Sequence, residues 1–160
     1  MKNLLDLSKK SEHNKKALKA YYPNLSQEIQ EDIYLLAKDS LQNISCFTHH
    51  YQENKQKGYI PYPDWVLENM IDGNFNIGEV EIIRGMNANE YKDVRVVVNS
   101  NDTYRILVDR KRKHGGSYLE EGVVNLSLVL SLKTNTVITG YTDETFAKDY
   151  SKRKDIFVNV

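Results

Sequence analysis

Imidazole, guanidinium, ammonium, hydroxyl and phenol groups recur along this chain at positions suited to handling a phosphodiester. His49 and His50 are adjacent, and His114 closes the basic run Arg110-Lys111-Arg112-Lys113. Cutting RNA without a metal needs a base for the 2′-OH proton, an acid for the 5′-oxygen and cations for the charge growing on phosphorus. Imidazole suits both proton roles near neutral pH. Neighbours on a helix point about 100° apart, so one of His49 and His50 is expected to face such a site, with His114 as the second proton carrier. In Val137-Ile138-Thr139-Gly140-Tyr141, Thr139 and Tyr141 share one face of a strand. Arg95 alternates with Val94, Val96 and Val98, and Arg105 with Ile106 and Val108. With Asn125 and Ser127 they place guanidiniums, hydroxyls, an amide and a phenol on one expected sheet surface, a set that can hold a phosphate.

Each group also has a plainer reading. The histidines can be ordinary surface residues, and Arg95 and Arg105 can pair with Asp93 or Asp109 across a ladder. The basic run with Gly115 and Gly116 can be a soluble hairpin tip or a flap over a polyanion. Most tyrosines serve packing or rims; Tyr141, with Tyr59 or Tyr62, lies where base stacking is useful. Cys46 sits in an apolar helical context, three residues before His49, and is expected in the core rather than as a nucleophile. P-loop, GxGxxG, HExxH and GxSxG patterns are absent from the sequence, and carboxylates do not cluster with histidines, so neither metal nor cofactor is expected.

The elements that must position these groups follow from periodicity. Residues 1–24 read as a peripheral, lysine-rich helical arm. Ser26-Gln27-Glu28-Ile29 resembles a helix start, with Ile29, Ile33, Leu36 and Ala37 at helical spacing; this helix runs to about Gln56 or breaks near Ser45 and resumes. Pro61 and Pro63 force an extended turn, and a short helix follows through Ile71, stopped at Asp72-Gly73-Asn74. Val80–Arg84, Val94–Asn99, Tyr104–Asp109, Val123–Ser131 and Thr136–Tyr141 read as successive strands. The turn-type links at 99–102 and 133–135 predict antiparallel pairing of adjacent runs. The link over 110–122 reads as a long basic loop, residues 143–150 as a short helix and 156–160 as a last strand. In Val123–Ser131, Val124, Leu126, Leu128 and Leu130 alternate with Asn125 and Ser127, so one face must meet a core. The expected class is α+β, with the N-terminal helices on one face of a four- to five-stranded antiparallel meander.

A chain of 160 residues, 40% hydrophobic and 28% charged, suits a single domain over 1–160. Its formal net charge of +0 argues against a general affinity for nucleic acid, leaving a local anion site open. The lone Cys46 has no disulfide or CxxC partner, and no stretch has the length of a membrane span or the form of a signal segment. A cytoplasmic location without membrane attachment is expected.

The order of features resembles a known family. His49, Lys57-Gly58-Tyr59-Ile60, Trp65-Val66-Leu67-Glu68-Asn69-Met70-Ile71-Asp72-Gly73, then Asn125-Leu126-Ser127-Leu128-Val129-Leu130 and Val137-Ile138-Thr139-Gly140-Tyr141-Thr142 are similar to the barnase, EndoU, colicin and RelE-like (BECR) superfamily of toxin ribonucleases. The resemblance covers residues 45–143 and implies a metal-independent endoribonuclease of toxin or anti-phage type, cutting by 2′-OH attack. It implies His49 as general acid or base, with His50 the alternate, and Thr139 and Tyr141 on the scissile phosphate. Lys57 stands where arginine is usual, and the basic loop with Lys113 and His114 is an insertion; both leave the cation and the second proton carrier open. Substrates of this superfamily include tRNA, messenger RNA and ribosome-bound RNA, and its members are held by an immunity protein or antitoxin. The alternative for the same sheet face is a non-catalytic protein- or RNA-binding module, such as an inhibitor or a phage accessory factor.

Overall fold

A computed structural model describes residues 17–86, 91–142 and 155–158. Along the chain come β1 (Ala17–Tyr21), a 3-10 turn (Tyr22–Asn24), α1 (Gln27–Gln42), β2 (Cys46–Phe47), α2 (His49–Gln56) and α3 (Asp64–Ile71). Then follow β3 (Phe75–Arg84), β4 (Tyr91–Ser100), β5 (Tyr104–Lys111), β6 (Ser117–Val124), β7 (Leu126–Ser131), β8 (Thr136–Thr142) and β9 (Asp155–Val158). The class is mixed α+β.

Helix α1 starts where the Ser26 side chain accepts from the Ile29 amide at 3.4 Å. Ile33, Ala37, Ser40 and Leu41 form its buried face. The chain is then captured by the β7–β8 turn: the Ser45 amide donates to the Asn135 carbonyl at 2.8 Å, and Ser45 Oγ to the Thr134 carbonyl at 2.6 Å. Cys46 and Phe47 run parallel to Thr136 and Val137, which makes Cys46 an exposed strand residue rather than a core one. Thr48 restarts the helix by accepting from the Tyr51 amide at 3.2 Å. Of the two sequence expectations, the broken helix is the one observed.

Six strands form one sheet in the order β1-β3-β4-β7-β8-β2, and three form another, β6-β5-β9. The central strands β3, β4, β7 and β8 are antiparallel neighbours taken in chain order. Because β2 joins β8 in parallel, the sheet is mixed rather than the expected antiparallel meander. At the other edge Ala17–Tyr21, expected within a helical arm, is a strand paired with β3 from Ala17↔Ile83 to Tyr21↔Glu79. An edge strand tolerates lysine and needs few apolar residues, so its composition hides it.

The larger correction concerns β5, which does not pair with β4. Ser100 Oγ donates to the Asp102 carbonyl and accepts from the Leu126 amide, both at 2.9 Å, and β7 takes the place beside β4. Asp102 Oδ2 accepts from Asn69 at 3.0 Å and Asn74 at 2.6 Å, fixing the bend to the end of α3. Tyr104 is drawn beneath that helix, its ring edge-on to Trp65 and its hydroxyl donating to the Pro61 carbonyl. From there β5 pairs with β6, from Tyr104↔Val124 to Lys111↔Ser117, and with β9. Strand β6 thus lies where a basic loop was expected, and the expected strand Val123–Ser131 is divided at Asn125 between two sheets. The helix expected at 143–150 lies outside the described residues.

One buried cluster joins these parts. Ile33, Leu41, Tyr51, Val66 and Met70 of the helices meet Val80, Ile82, Val94, Val96, Val98, Leu126, Leu128 and Leu130 of the first sheet. Tyr104, Ile106 and Val124 bring the second sheet into the same cluster. Among the described residues no helix is long and apolar enough to cross a membrane.

Candidate functional site

Helix α2 meets the sheet on β8 at Gly140, where a Cβ would stand 3.1 Å from the Tyr51 ring and 2.9 Å from Leu128. His49 and His50 point away from that contact, into solvent. The His49 side chain is 87% exposed, with Nε2 3.0 Å from Glu53. His50 Nε2 is 3.1 Å from Asn54 Nδ2. Each imidazole is therefore held by a residue one turn along its own helix. Thr139 and Tyr141 pair with Val129 and Ser127. Strand alternation puts them on the face of β8 opposite Gly140 and the Tyr51 ring. The start of α2 is tied to β8 just before Thr139, where the Thr48 amide donates to the Val137 carbonyl at 3.0 Å and the Thr48 hydroxyl to the Ile138 carbonyl.

The expected phosphate-holding face is divided. Arg95 stays on β4, with Nε 3.2 Å from Asp93, while Arg105 leaves with β5 for the second sheet and lies 2.9 Å from Glu121. Ser127, only 6% exposed, donates to Asn99 Oδ1 at 2.6 Å, and Asn99 Nδ2 donates to Asn76 Oδ1 at 3.1 Å. Ser131 donates to Asp93 at 2.8 Å, and Thr134 Oγ1 is 2.9 Å from the hydroxyls of both Ser131 and Thr136. Much of the polar equipment on this face thus closes on itself as cross-strand rows. Lys57 is exposed just past α2, 5.9 Å from the Tyr59 ring centre. Lys113 and His114 are exposed at the β5–β6 tip, where Gly115 and Gly116 take φ of +103° and +77°.

What the fold does assemble is a groove of about 410 Å³ beside α2, lined by Phe47, Tyr51, Gln52, Lys55, Gln56 and Tyr62. Four of these share one helical face at i, i+1, i+4 and i+5. Phe47 comes from β2, and Tyr62 from the segment held extended by Pro61 and Pro63. Phe47 stacks on Tyr51 with ring centres 5.0 Å apart and planes at 28°. The hydroxyls of Tyr51 and Tyr62 are hydrogen-bonded to each other. Lys55 Nζ donates to the Tyr62 carbonyl at 3.0 Å and lies 3.5 Å above the centre of that ring, a cation–π contact. Gln52 Nε2 donates to the Phe47 carbonyl at 3.0 Å, which leaves its Oε1 as an acceptor.

Burial sets the protonation of this group. It pushes the Tyr51 phenol well up, reinforced by the bond to Tyr62, and raises Tyr62 as well. It lowers Lys55, with Asp64 acting in the other direction. At neutral pH both phenols keep their protons, so they act as a wall rather than as bases. The groove therefore offers the half-buried Phe47 ring, backed by the buried Tyr51 and Tyr62, with an ammonium that has donors to spare and two carboxamides. That inventory suits a flat polar ligand carrying negative charge. Of its residues only Tyr62 stands out in the sequence, as a stacking candidate. The recurrence of Tyr51 with Lys55 and of Gln52 with Gln56 was the available signal, but nothing along the chain shows Phe47 and Tyr62 closing on that face. No family model matches the chain, and neither a curated protein nor a solved structure was found to be similar to it.

Proposed function

We propose that this chain binds single-stranded RNA through α2 and the groove beside it. The observation that carries the reading is the groove's lining: aromatic rings, carboxamides and a half-buried ammonium meet in one concavity. Unpaired bases are recognised by stacking and edge hydrogen bonds, and their phosphates by cations. Lys57 and the two imidazoles extend the polar surface of the same helix and its end. This keeps the non-catalytic, RNA-binding class expected from the sequence but moves it from the sheet face to the α2 groove. It is preferred because each imidazole is engaged by a residue of its own helix, Glu53 or Asn54, while the groove gathers ring, carboxamide and ammonium in one place.

The endoribonuclease implied by the resemblance is a second reading, favoured by one specific feature. The four central strands follow one another antiparallel in chain order, as the superfamily's closing meander implies, with β5 and β6 as an excursion between them. In that reading His49 or His50 carries the proton, tRNA is among the substrates, and an antitoxin or immunity protein holds the chain in a cytoplasmic setting. The finer layering, with helices over one face of the sheet, belongs to the same proposal and is supported by the shared buried cluster.

Incubating the purified protein with end-labelled single-stranded RNA in EDTA tests both. Retention of RNA without new ends is the expected outcome. New ends carrying a cyclic phosphate, lost in His49→Ala or His50→Ala, would transfer the conclusion to the nuclease. No association even at low salt would remove both.

A further inference from the structure

We infer that the α2 groove receives one unpaired nucleobase of the bound strand, stacked on Phe47, with the neighbouring phosphate on Lys55; this rests on the RNA reading above. The volume, about 410 Å³, lies at the low end of the roughly 300–1,000 Å³ typical of small-ligand sites. It suits one nucleotide rather than a duplex, whose bases are already stacked and paired. Phe47 is stacked on Tyr51 and only half buried, so its remaining surface borders the groove.

The platform is preorganised. Tyr51 is bonded to Tyr62 and pressed against Gly140, where the lack of a Cβ is what admits the ring. Neither aromatic has to be ordered when a base arrives, which lowers the entropic cost of binding. Lys55 is likewise fixed, by the Tyr62 carbonyl and ring, and an ammonium has three donors, so N–H groups remain for a phosphate oxygen. The Gln52 amide nitrogen is anchored on the Phe47 carbonyl, which leaves its oxygen as an acceptor for an exocyclic amine.

A short single-stranded RNA carrying 2-aminopurine tests this, because stacking quenches that base. Binding to the parent protein should quench its fluorescence, and the same sequence as a duplex should bind more weakly. Phe47→Leu keeps an apolar side chain but removes the ring. It should lower affinity by about tenfold, within what loss of one base–aromatic stack causes. RNA that binds the parent without any change in fluorescence would overturn the groove inference while leaving RNA binding standing, and that measurement holds even if the variant fails to fold. Phe47→Leu that folds and binds like the parent would overturn it equally. Absence of RNA binding by the parent would remove the broader reading, and this inference with it.

Discussion

The Tyr51–Tyr62 pair shows how single residues are tuned by their surroundings. Both phenols are taken from water, which disfavours their ionised forms and raises both from the ordinary tyrosine value. A raised folded-state value means that their contribution to stability is complete below the unfolded value of about 10. It is lost as pH climbs above that toward the folded one. Lys55 works in the opposite sense: burial disfavours its charged form, so losing the proton relieves the fold. The variant Tyr51→Phe with Tyr62→Phe keeps Lys55 and removes both phenols. Urea denaturation from about pH 8 to about pH 11 should show a smaller loss of stability for it than for the parent. A steeper loss in the double variant would mean that the hydroxyls are not the titrating groups.

Among the elements, the crossing of α2 over β8 decides where the groove lies. Gly140 permits it, with a φ that any residue could adopt and with space as the constraint. An added Cβ would meet Leu128 Cδ2 at 2.9 Å, the Tyr51 ring at 3.1 Å and Ile60 Cγ2 at 3.3 Å. These neighbours belong to the buried cluster and have no solvent to retreat into. Gly140→Ala should therefore cost about 1–3 kcal/mol by overpacking, read as a lower urea midpoint with an unchanged slope. It should also weaken RNA binding by shifting Tyr51. A Gly140→Ala protein as stable as the parent would show that helix and strand can separate without penalty. Elsewhere the ordering of elements turns on small polar groups: Ser100 and Asp102 direct the chain out of the first sheet, and Asn135 and Ser45 draw α1 to the β7–β8 turn.

For the whole molecule, equal numbers of acidic and basic side chains, 22 each, mean that no broad field gathers RNA from a distance. Binding must then come from short-range stacking and few phosphate contacts. The logarithm of affinity should fall with the logarithm of salt concentration at a slope between about −1.4 and −2.1, as expected for two or three phosphates on a single strand. Fluorescence titrations at several salt concentrations measure this. A slope several times steeper would point to a wider basic surface, and the β5–β6 tip with Lys113 and His114 would be the place to look.

Much of this architecture is dictated locally. The Ser26 start, the halt at Asp72-Gly73 and the inward set Leu126, Leu128 and Leu130 of β7 survive into the structure, because caps, turns and pleats depend on residues a few positions apart. Residues such as His49 and Thr139 could be named as chemically able from their types alone. Which strand lies beside which is a different matter. An ordinary turn at 99–102 would have let β5 pair with β4, but Tyr104 is buried edge-on to Trp65, and the Ser100 hydroxyl holds the start of β7 instead. That one choice carries Arg105 to another sheet. The site followed the same logic: side chains from β2, α2 and the Ile60–Pro63 segment became a groove only when the chain folded. Proximity between segments is set by packing energies summed over the whole core, which no stretch of sequence contains by itself.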